Sequence, residues 1–356
     1  LFDELEPTHS VRIARPRRAA PADAVRPTRA EVNLEALRHN LRVVTKCAAA
    51  KRDVRVWPVL KADGYGHGAP AVARTLERAG AQGFCVALLE EAMELRDAGI
   101  VAPIVVMGGS CAGAYEEIAA NHLVAVVYDV AQVEGLARAA RALGRRVVAH
   151  LKVDTGMARL GVRMSDLEAF AERVRHIPEV AFEGLMTHLA CADESTQSKD
   201  NSESSVGEFT AHQLGLFDEA TVRLQRAGIV SSNVLRHVAN SAALLQGHAL
   251  FDAVRPGIAL FGISPLRVSA RGDGAVADAS PAHELRPAMR VRSEVVDVRS
   301  IATGESVGYS AMFRVSRPSR IATIPMGYAD GLSRHLTNRG QVLVRGKRAP
   351  LVGAVS

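Results

Sequence analysis

Short apolar runs and amphipathic stretches alternate along most of this chain. The apolar runs are Val54–Leu60, Gly83–Ala87, Ile104–Met107, Val124–Val127, Val147–Val153, Ala181–Thr187, Val234–Val238 and Ala253–Pro256. Short continuous runs of this kind suit strands buried on both faces. Between them, Ala69–Ala79, Glu90–Ala98, Val130–Leu143, Asp166–His176 and Glu208–Ala227 carry the period of helices packed on one side. Parallel neighbours need a crossover about as long as a helix, so the alternation predicts βαβ units. Eight such strands in succession predict an α/β fold, a closed (β/α)8 barrel of TIM type rather than an open sheet.

The pattern changes near Phe261. Val268–Ser280 is rich in Gly, Ala and Asp and has no helical period. Beyond it, Arg290–Val298, Ser319–Pro325 and Gln341–Val344 read as strands separated by Gly and Pro turns. The expected division is a flexible tail over residues 1–27, the barrel over 28–262 and a separate C-terminal β domain over 263–356. The last apolar run, Leu351–Val355, lies at the end of the chain, so this domain is expected to be a truncated one.

A chain of 356 residues suits one barrel and a smaller partner domain. No apolar run approaches the roughly 20 residues that span a bilayer, so no membrane partner is expected. The net charge of +6 raises the question of nucleic acid. Lys and Arg are scattered, however, and five Tyr and one Trp offer little for base stacking; a surface that attracts small anions accounts for the charge. Cys47, Cys85, Cys111 and Cys191 stand far apart with no Cys-x-x-Cys pair, which predicts neither a zinc site nor a disulfide framework. Reduced thiols, and a tail without the apolar core of a signal peptide, point to the cytoplasm.

In a barrel of this type, chemistry sits at the C-terminal ends of the strands. The first strand ends in Trp57-Pro58-Val59-Leu60-Lys61 and continues Ala62-Asp63-Gly64-Tyr65-Gly66-His67-Gly68. A strand-end lysine that loses hydration has a lowered pKa and a nucleophilic amine, as Schiff-base formation with an aldehyde cofactor requires. A lysine that merely snorkels out of the strand fits the position as well. The fifth strand ends in Lys152-Val153-Asp154-Thr155-Gly156-Met157-Ala158-Arg159, the sixth in Met186-Thr187-His188, the seventh in His237-Val238-Ala239-Asn240-Ser241, and the eighth in Val254-Arg255-Pro256-Gly257-Ile258. Loops after the last two strands are the usual phosphate site of this barrel, and a helix start with a glycine close by suits a dianion. Taken singly, His188 also fits a satisfied core histidine, and Arg255 a salt-bridge partner.

Val59–Gly68 resembles the cofactor-lysine motif of the bacterial alanine racemases, which are fold-type III pyridoxal-phosphate enzymes. Arg159, His188, Ser241 and Arg255 follow in that family's order. Ser306-Val307-Gly308-Tyr309-Ser310-Ala311-Met312-Phe313 is similar to its catalytic-tyrosine loop. The resemblance runs from about Thr28 to Ser356. It implies pyridoxal 5'-phosphate held by Lys61, with Lys61 and Tyr309 as the two catalytic bases. It also implies phosphate binding by Tyr65, Asn240, Ser241, Gly257 and Ile258, and Arg159 at the cofactor's phenolic oxygen and near the substrate. Arg255 is then at the pyridine nitrogen, His188 between Arg255 and the tyrosine, and Tyr328 at the substrate entrance. Lys152 matches a lysine that is often carbamylated in the family. The resemblance further implies a homodimer in which each Tyr309 serves the other barrel, a first strand near Arg29–Asn33 that packs with the C-terminal domain, and supply of D-alanine for peptidoglycan. The family pattern continues past Ser356 with a Met-Asp pair and a phosphate-binding tyrosine.

Three other readings remain open at this level. A serine or broad-specificity racemase would share cofactor and fold. A non-catalytic pyridoxal-phosphate carrier has the barrel and the lysine but lacks the second domain and its tyrosine. A decarboxylase of this class would present an acid to the pyridine nitrogen and a cysteine in the second domain; this chain has Arg255, and no cysteine follows Cys191.

Overall fold

A computed structural model describes residues 25–49, 54–110, 114–193, 204–248, 250–266 and 281–356. The chain divides into two compact units, Val32–Met289 and the residues up to Glu31 together with Arg290–Ser356. Strand β1 (Arg29–Val32) is followed by α1 (Leu34–Ala49), β2 (Arg55–Val56), α2 (Lys61–Gly66), α3 (Ala69–Arg78), β3 (Phe84–Val86) and α4 (Leu89–Asp97). Next come β4 (Ile104–Val106), α5 (Tyr115–Ala120), β5 (Val124–Val127), α6 (Val130–Ala142), β6 (Val147–Asp154), β7 (Val162–Arg163) and α7 (Leu167–Val174). The first unit ends with β8 (Val180–Met186), α8 (Ser204–Arg226), β9 (Leu235–His237), α9 (Ser241–Leu245) and β10 (Ala253–Val254).

Eight of these strands pair in the order β2-β10-β9-β8-β6-β5-β4-β3, while β7 lies off this path and pairs with β6. The chain beyond β2 closes the ring. Trp57 and Val59 donate their N–H groups to Val254 and Pro256 on one side. On the other, Leu60 donates to Cys85 and Cys85 to Pro58, around a parallel bridge between Val59 and Cys85. The result is the (β/α)8 barrel with its strands parallel.

The two-residue alternation of each strand sorts side chains between two apolar layers. Cys85, Val105, Val126 and Met186 join Trp57 and Val59 inside the barrel. Their neighbours Phe84, Val86, Ile104, Val106, Ala125, Val127 and Leu185 face the helices. Full burial of a side chain such as Phe84 contributes about 2–3 kcal/mol. Within the barrel this apolar layer gives way to buried polar groups, His150, Lys152, His237 and Arg255. A cavity of about 650 Å³ opens at the strand beginnings, lined by Arg55, Pro103, Val124 and Leu235 and also by Trp57 and His150. It lies at the end opposite the loops that carry the motifs.

Helix α1 was not among the helices expected from periodicity. It starts because the Asn33 side chain accepts the N–H groups of Glu35 and Ala36 at 3.0 and 3.1 Å, a side-chain N-cap. Short α5 was likewise not expected. The linker Val268–Ser280 lies outside the described residues, as do residues 1–24 and 194–203.

The second unit is built of small antiparallel pieces. These are β11 (Met289–Arg292), which pairs with β1, then β12 (Asp297–Ile301), β13 (Ser306–Val307), β14 (Phe313–Arg314), β15 (Ser319–Thr323), β16 (Gln341–Val344) and β17 (Lys347–Pro350). β12 pairs with β15, β13 with β14, and β16 with β17. The run Arg290–Val298 breaks into two strands instead of one. Leu351–Val355 forms no strand: the N–H groups of Gly353 and Val355 go to the side chains of Asn338 and Thr337.

Candidate active site

Lys61 stands where the backbone leaves the first barrel strand and turns sharply. Ala62, Asp63, Gly64 and Tyr65 all have φ between 53 and 62° and ψ between 38 and 53°, so α2 is a left-handed turn. Three of these four are not glycine, and each costs about 1–2 kcal/mol in that conformation. Strain of this kind persists only when its surroundings hold it. The Gly64 N–H donates to Leu60, the Gly68 N–H to Asp63, and the Asp63 carboxylate accepts the Ala69 N–H at 2.8 Å. The turn places the Lys61 Nζ 5.8 Å from the centre of the Tyr65 ring.

Tyr65 in turn reaches the last strand end. Its Oη lies against Gly257, where a Cβ would overlap it. Gly257 is thus required by close approach, and burial pushes the Tyr65 phenol up. Ser241, buried at the start of α9, accepts the N–H groups of Gly257 at 2.9 Å and Ala259 at 3.3 Å. Asn240 caps the same helix by accepting the N–H groups of Ala242 and Ala243. Ile258 opens the 3-10 turn that follows Gly257. Tyr65, Asn240, Ser241, Gly257 and Ile258 therefore share one corner of the mouth.

Arg255 is buried and no carboxylate among the described residues pairs with it. Its guanidinium donates instead to the carbonyl oxygens of His237, Thr187 and Val238 at 2.5, 2.9 and 3.1 Å. It also donates to Nδ1 of His237 at 2.8 Å and lies 3.5 Å from Nδ1 of His188. Burial lowers its pKa to about 10, still well above neutrality. A cation can only donate, so the His237 proton sits on Nε2, which donates to Nδ1 of His150 at 2.9 Å. Burial, and then the Arg255 charge, pull His150 down to about 3 and His237 well below its usual value. Both imidazoles are neutral. The His150 ring stacks on Trp57 and lies close against Gly184, whose missing side chain leaves it room.

His188 lies near the same guanidinium. Burial first, then the charges of Arg255, Lys152, Arg159 and Lys61, hold it at about 3. Gln213 on α8 fixes its segment, accepting the Ala190 N–H at 3.0 Å and donating to the His188 carbonyl at 3.2 Å. Lys152 shares the inner face of β6 with His150. Burial, then Arg159 and Arg255, lower its ammonium to about 8. Arg159 is exposed, near enough for its charge to act on both Lys152 and His188.

Tyr309 and Tyr328 lie in the second unit, where both are exposed. Gly308 (φ 73°) leads into a turn at Tyr309 in which Ser310 is left-handed, so the phenol projects from a tight corner. Tyr328 lies under the Arg334 guanidinium, 5.8 Å from its ring centre.

A family model described as the alanine racemase N-terminal domain matches residues 32–265. The model of the alanine racemase C-terminal domain matches residues 288–356. The chain belongs to the alanine racemase family. It is 53% identical over 337 residues to an alanine racemase of Sorangium cellulosum, covering 93% of this chain and 83% of that protein. Its fold matches a crystal structure of alanine racemase from Streptomyces lavendulae with a TM-score of 0.80 at 31% identity, over 94% of this chain and 82% of that one. It also matches an alanine racemase of Bartonella henselae with covalently bound pyridoxal phosphate, with a TM-score of 0.76 at 27% identity and coverage of 93% and 84%. The chain is thus of the isomerase class.

As an alanine racemase barrel, its mouth fits an aldehyde cofactor that carries a phosphate. It supplies a lysine amine at a strand end, a hydroxyl-and-glycine corner suited to a dianion, and a buried guanidinium with no carboxylate partner among the described residues. Sequence reasoning passed over two members of the polar interior. His237 stood in a quoted motif without a role, and its strand-end position was the available signal. His150 was hidden inside the apolar run Val147–Val153, where only its two-residue spacing from Lys152 marked it.

Proposed function

We propose that the protein interconverts L-alanine and D-alanine through pyridoxal 5'-phosphate and two opposed bases, Lys61 and Tyr309. The observation that carries this reading is Arg255, a buried cation with no carboxylate partner among the described residues, in the mouth that also holds Lys61 and the Tyr65–Ser241–Gly257 corner. When bound, the cofactor supplies an aldehyde for covalent capture of the amino acid and a conjugated ring that draws charge from Cα.

Tyr65, Ser241, Gly257 and Ile258 would hold the phosphate, with Asn240 keeping α9 in place, while Lys61 makes the covalent link. Arg159 would meet the phenolic oxygen and the substrate, and Tyr328 would line the entrance. Arg255 would sit at the cofactor's ring nitrogen and, remaining protonated, would give up no proton there. That limits how far charge leaves Cα and favours returning the proton over transamination. Racemisation takes a proton from one face of Cα and delivers one to the other, so Lys61 Nζ serves one face and the Tyr309 Oη the other. The lowered Lys152 pKa leaves a larger share of free amine to combine with carbon dioxide, and the carbamate would orient Arg159. In the active homodimer each Tyr309 serves the other subunit's barrel. The reaction would supply D-alanine for peptidoglycan in the cytoplasm.

Borohydride reduction followed by peptide mapping should place the pyridoxyl label on Lys61; a label on Lys152 or Lys347 would overturn the assignment. Chiral chromatography after incubation with L-alanine, and separately with L-serine, reads out the substrate.

A further inference from the structure

Glu91 on α4 uses both carboxylate oxygens on backbone donors. One oxygen accepts the N–H groups of Ala87 at 2.8 Å and Leu88 at 3.1 Å. The other accepts the N–H of Ala62 at 2.6 Å, from a residue 29 positions upstream. A glutamate in the first turn of a helix commonly caps its own N-terminus. Such a cap explains the first two contacts but not the third.

The third contact reaches the cofactor lysine. The Ala62 N–H belongs to the peptide that follows Lys61, so fixing its direction fixes the orientation of that peptide plane and, with it, the exit of the Lys61 side chain. Ala62 is also the first residue of the left-handed turn, where the backbone departs from its ordinary preference. The other end of the tie is stiff. Ala87 and Leu88 directly follow β3, which is bound to the Lys61 strand through the Val59–Cys85 bridge. One ionised side chain therefore clamps the turn after Lys61 to the end of the neighbouring strand, with the strength of charge-assisted hydrogen bonds.

We propose that Glu91 is a positioning residue for Lys61, holding the lysine amine in line with one face of the substrate's Cα. This inference rests on the two-base reading above. Lys61 and Tyr309 act on opposite faces, and Glu91 touches only the lysine's turn, so its loss should unbalance the two directions of proton exchange. A loss of general stability would slow both alike.

The test uses the holoenzyme, with rates normalised to bound cofactor absorbance. Glu91→Gln keeps the shape but removes the charge and replaces one acceptor with a donor. Hydrogen–deuterium exchange by mass spectrometry should show residues 61–66 exchanging at least tenfold faster, with α6 and α7 unchanged. Deuterium wash-in at Cα is then followed for each alanine enantiomer, the Lys61 face being defined as the one that still exchanges in Tyr309→Phe. Glu91→Gln should slow exchange on that face at least tenfold more than on the other. Unchanged protection of residues 61–66, or equal slowing on both faces, would overturn the proposal and leave Glu91 a helix cap. If Tyr309→Phe itself slows both faces equally, the two-base reading fails, and the hydrogen-exchange result alone decides whether Glu91 holds the turn. Should the glutamine variant not fold, Glu91→Asp, which keeps the charge but draws the carboxylate back, carries the same two measurements with the same expected directions.

Discussion

The Arg255 guanidinium donates to Nδ1 of His237 at 2.8 Å, and this contact orders the polar interior of the barrel. It fixes the His237 tautomer, turns Nε2–H toward His150 and leaves both imidazoles neutral beside a permanent cation. Replacing Arg255 with Met would strand several buried acceptors, each costing about 1–3 kcal/mol. Urea unfolding of Arg255→Met should show a loss of about 3 kcal/mol or more, and loss under 1 kcal/mol would mean that the carbonyls find other donors.

The neutral histidines make a prediction about acid. A histidine whose folded pKa is depressed binds a proton in the unfolded chain before it does in the native one. Stability therefore falls as pH drops below the unfolded value near 6.5 and continues to fall toward the folded value of about 3 for His150. His150→Phe removes one such group and should flatten the decline in stability between pH 6.5 and 4. An unchanged slope in parallel denaturation series would show that His150 is protonated in the native protein.

Gly257 and Tyr65 should be coupled. Gly257→Ala puts a methyl into the Tyr65 Oη, and the displaced phenol can no longer serve the phosphate corner. Cofactor affinity should weaken tenfold or more in fluorescence titration. In a Tyr65→Phe background the nearest remaining ring atom stands at 3.1 Å, so the added cost of Gly257→Ala should shrink. Strict additivity would argue against this contact.

Tyr309→Phe should retain the bound cofactor's yellow absorbance and lose proton exchange on one face of Cα. Losing a positioned base typically costs about 10²–10⁴-fold. Mixed with Lys61→Ala, it should recover activity, because a heterodimer would contain one site with both bases. Confirmed subunit exchange without any return of activity would place Tyr309 outside the other subunit's site.

The chain's own pattern determined the order of most strands and helices of the barrel, because burial on both faces writes continuous apolar runs and packing on one face writes a helical period. It also located the candidate residues: Lys61, Arg159, His188, Ser241 and Arg255 each fall at or just after a strand end, and strand ends of a barrel face one mouth. Other features are not written in the apolar pattern. The start of α1 depends on one capping asparagine, and the left-handed turn after Lys61 on contacts from Leu60, Asp63 and Glu91. Pairing of β1 with β11 joins segments from opposite ends of the chain. The neutrality of His150 and His237 arises only when strands β6, β9 and β10 bring them beside Arg255 away from water. Local periodicity records which face of a segment is buried, whereas charge state and backbone strain are decided by what lies across the fold.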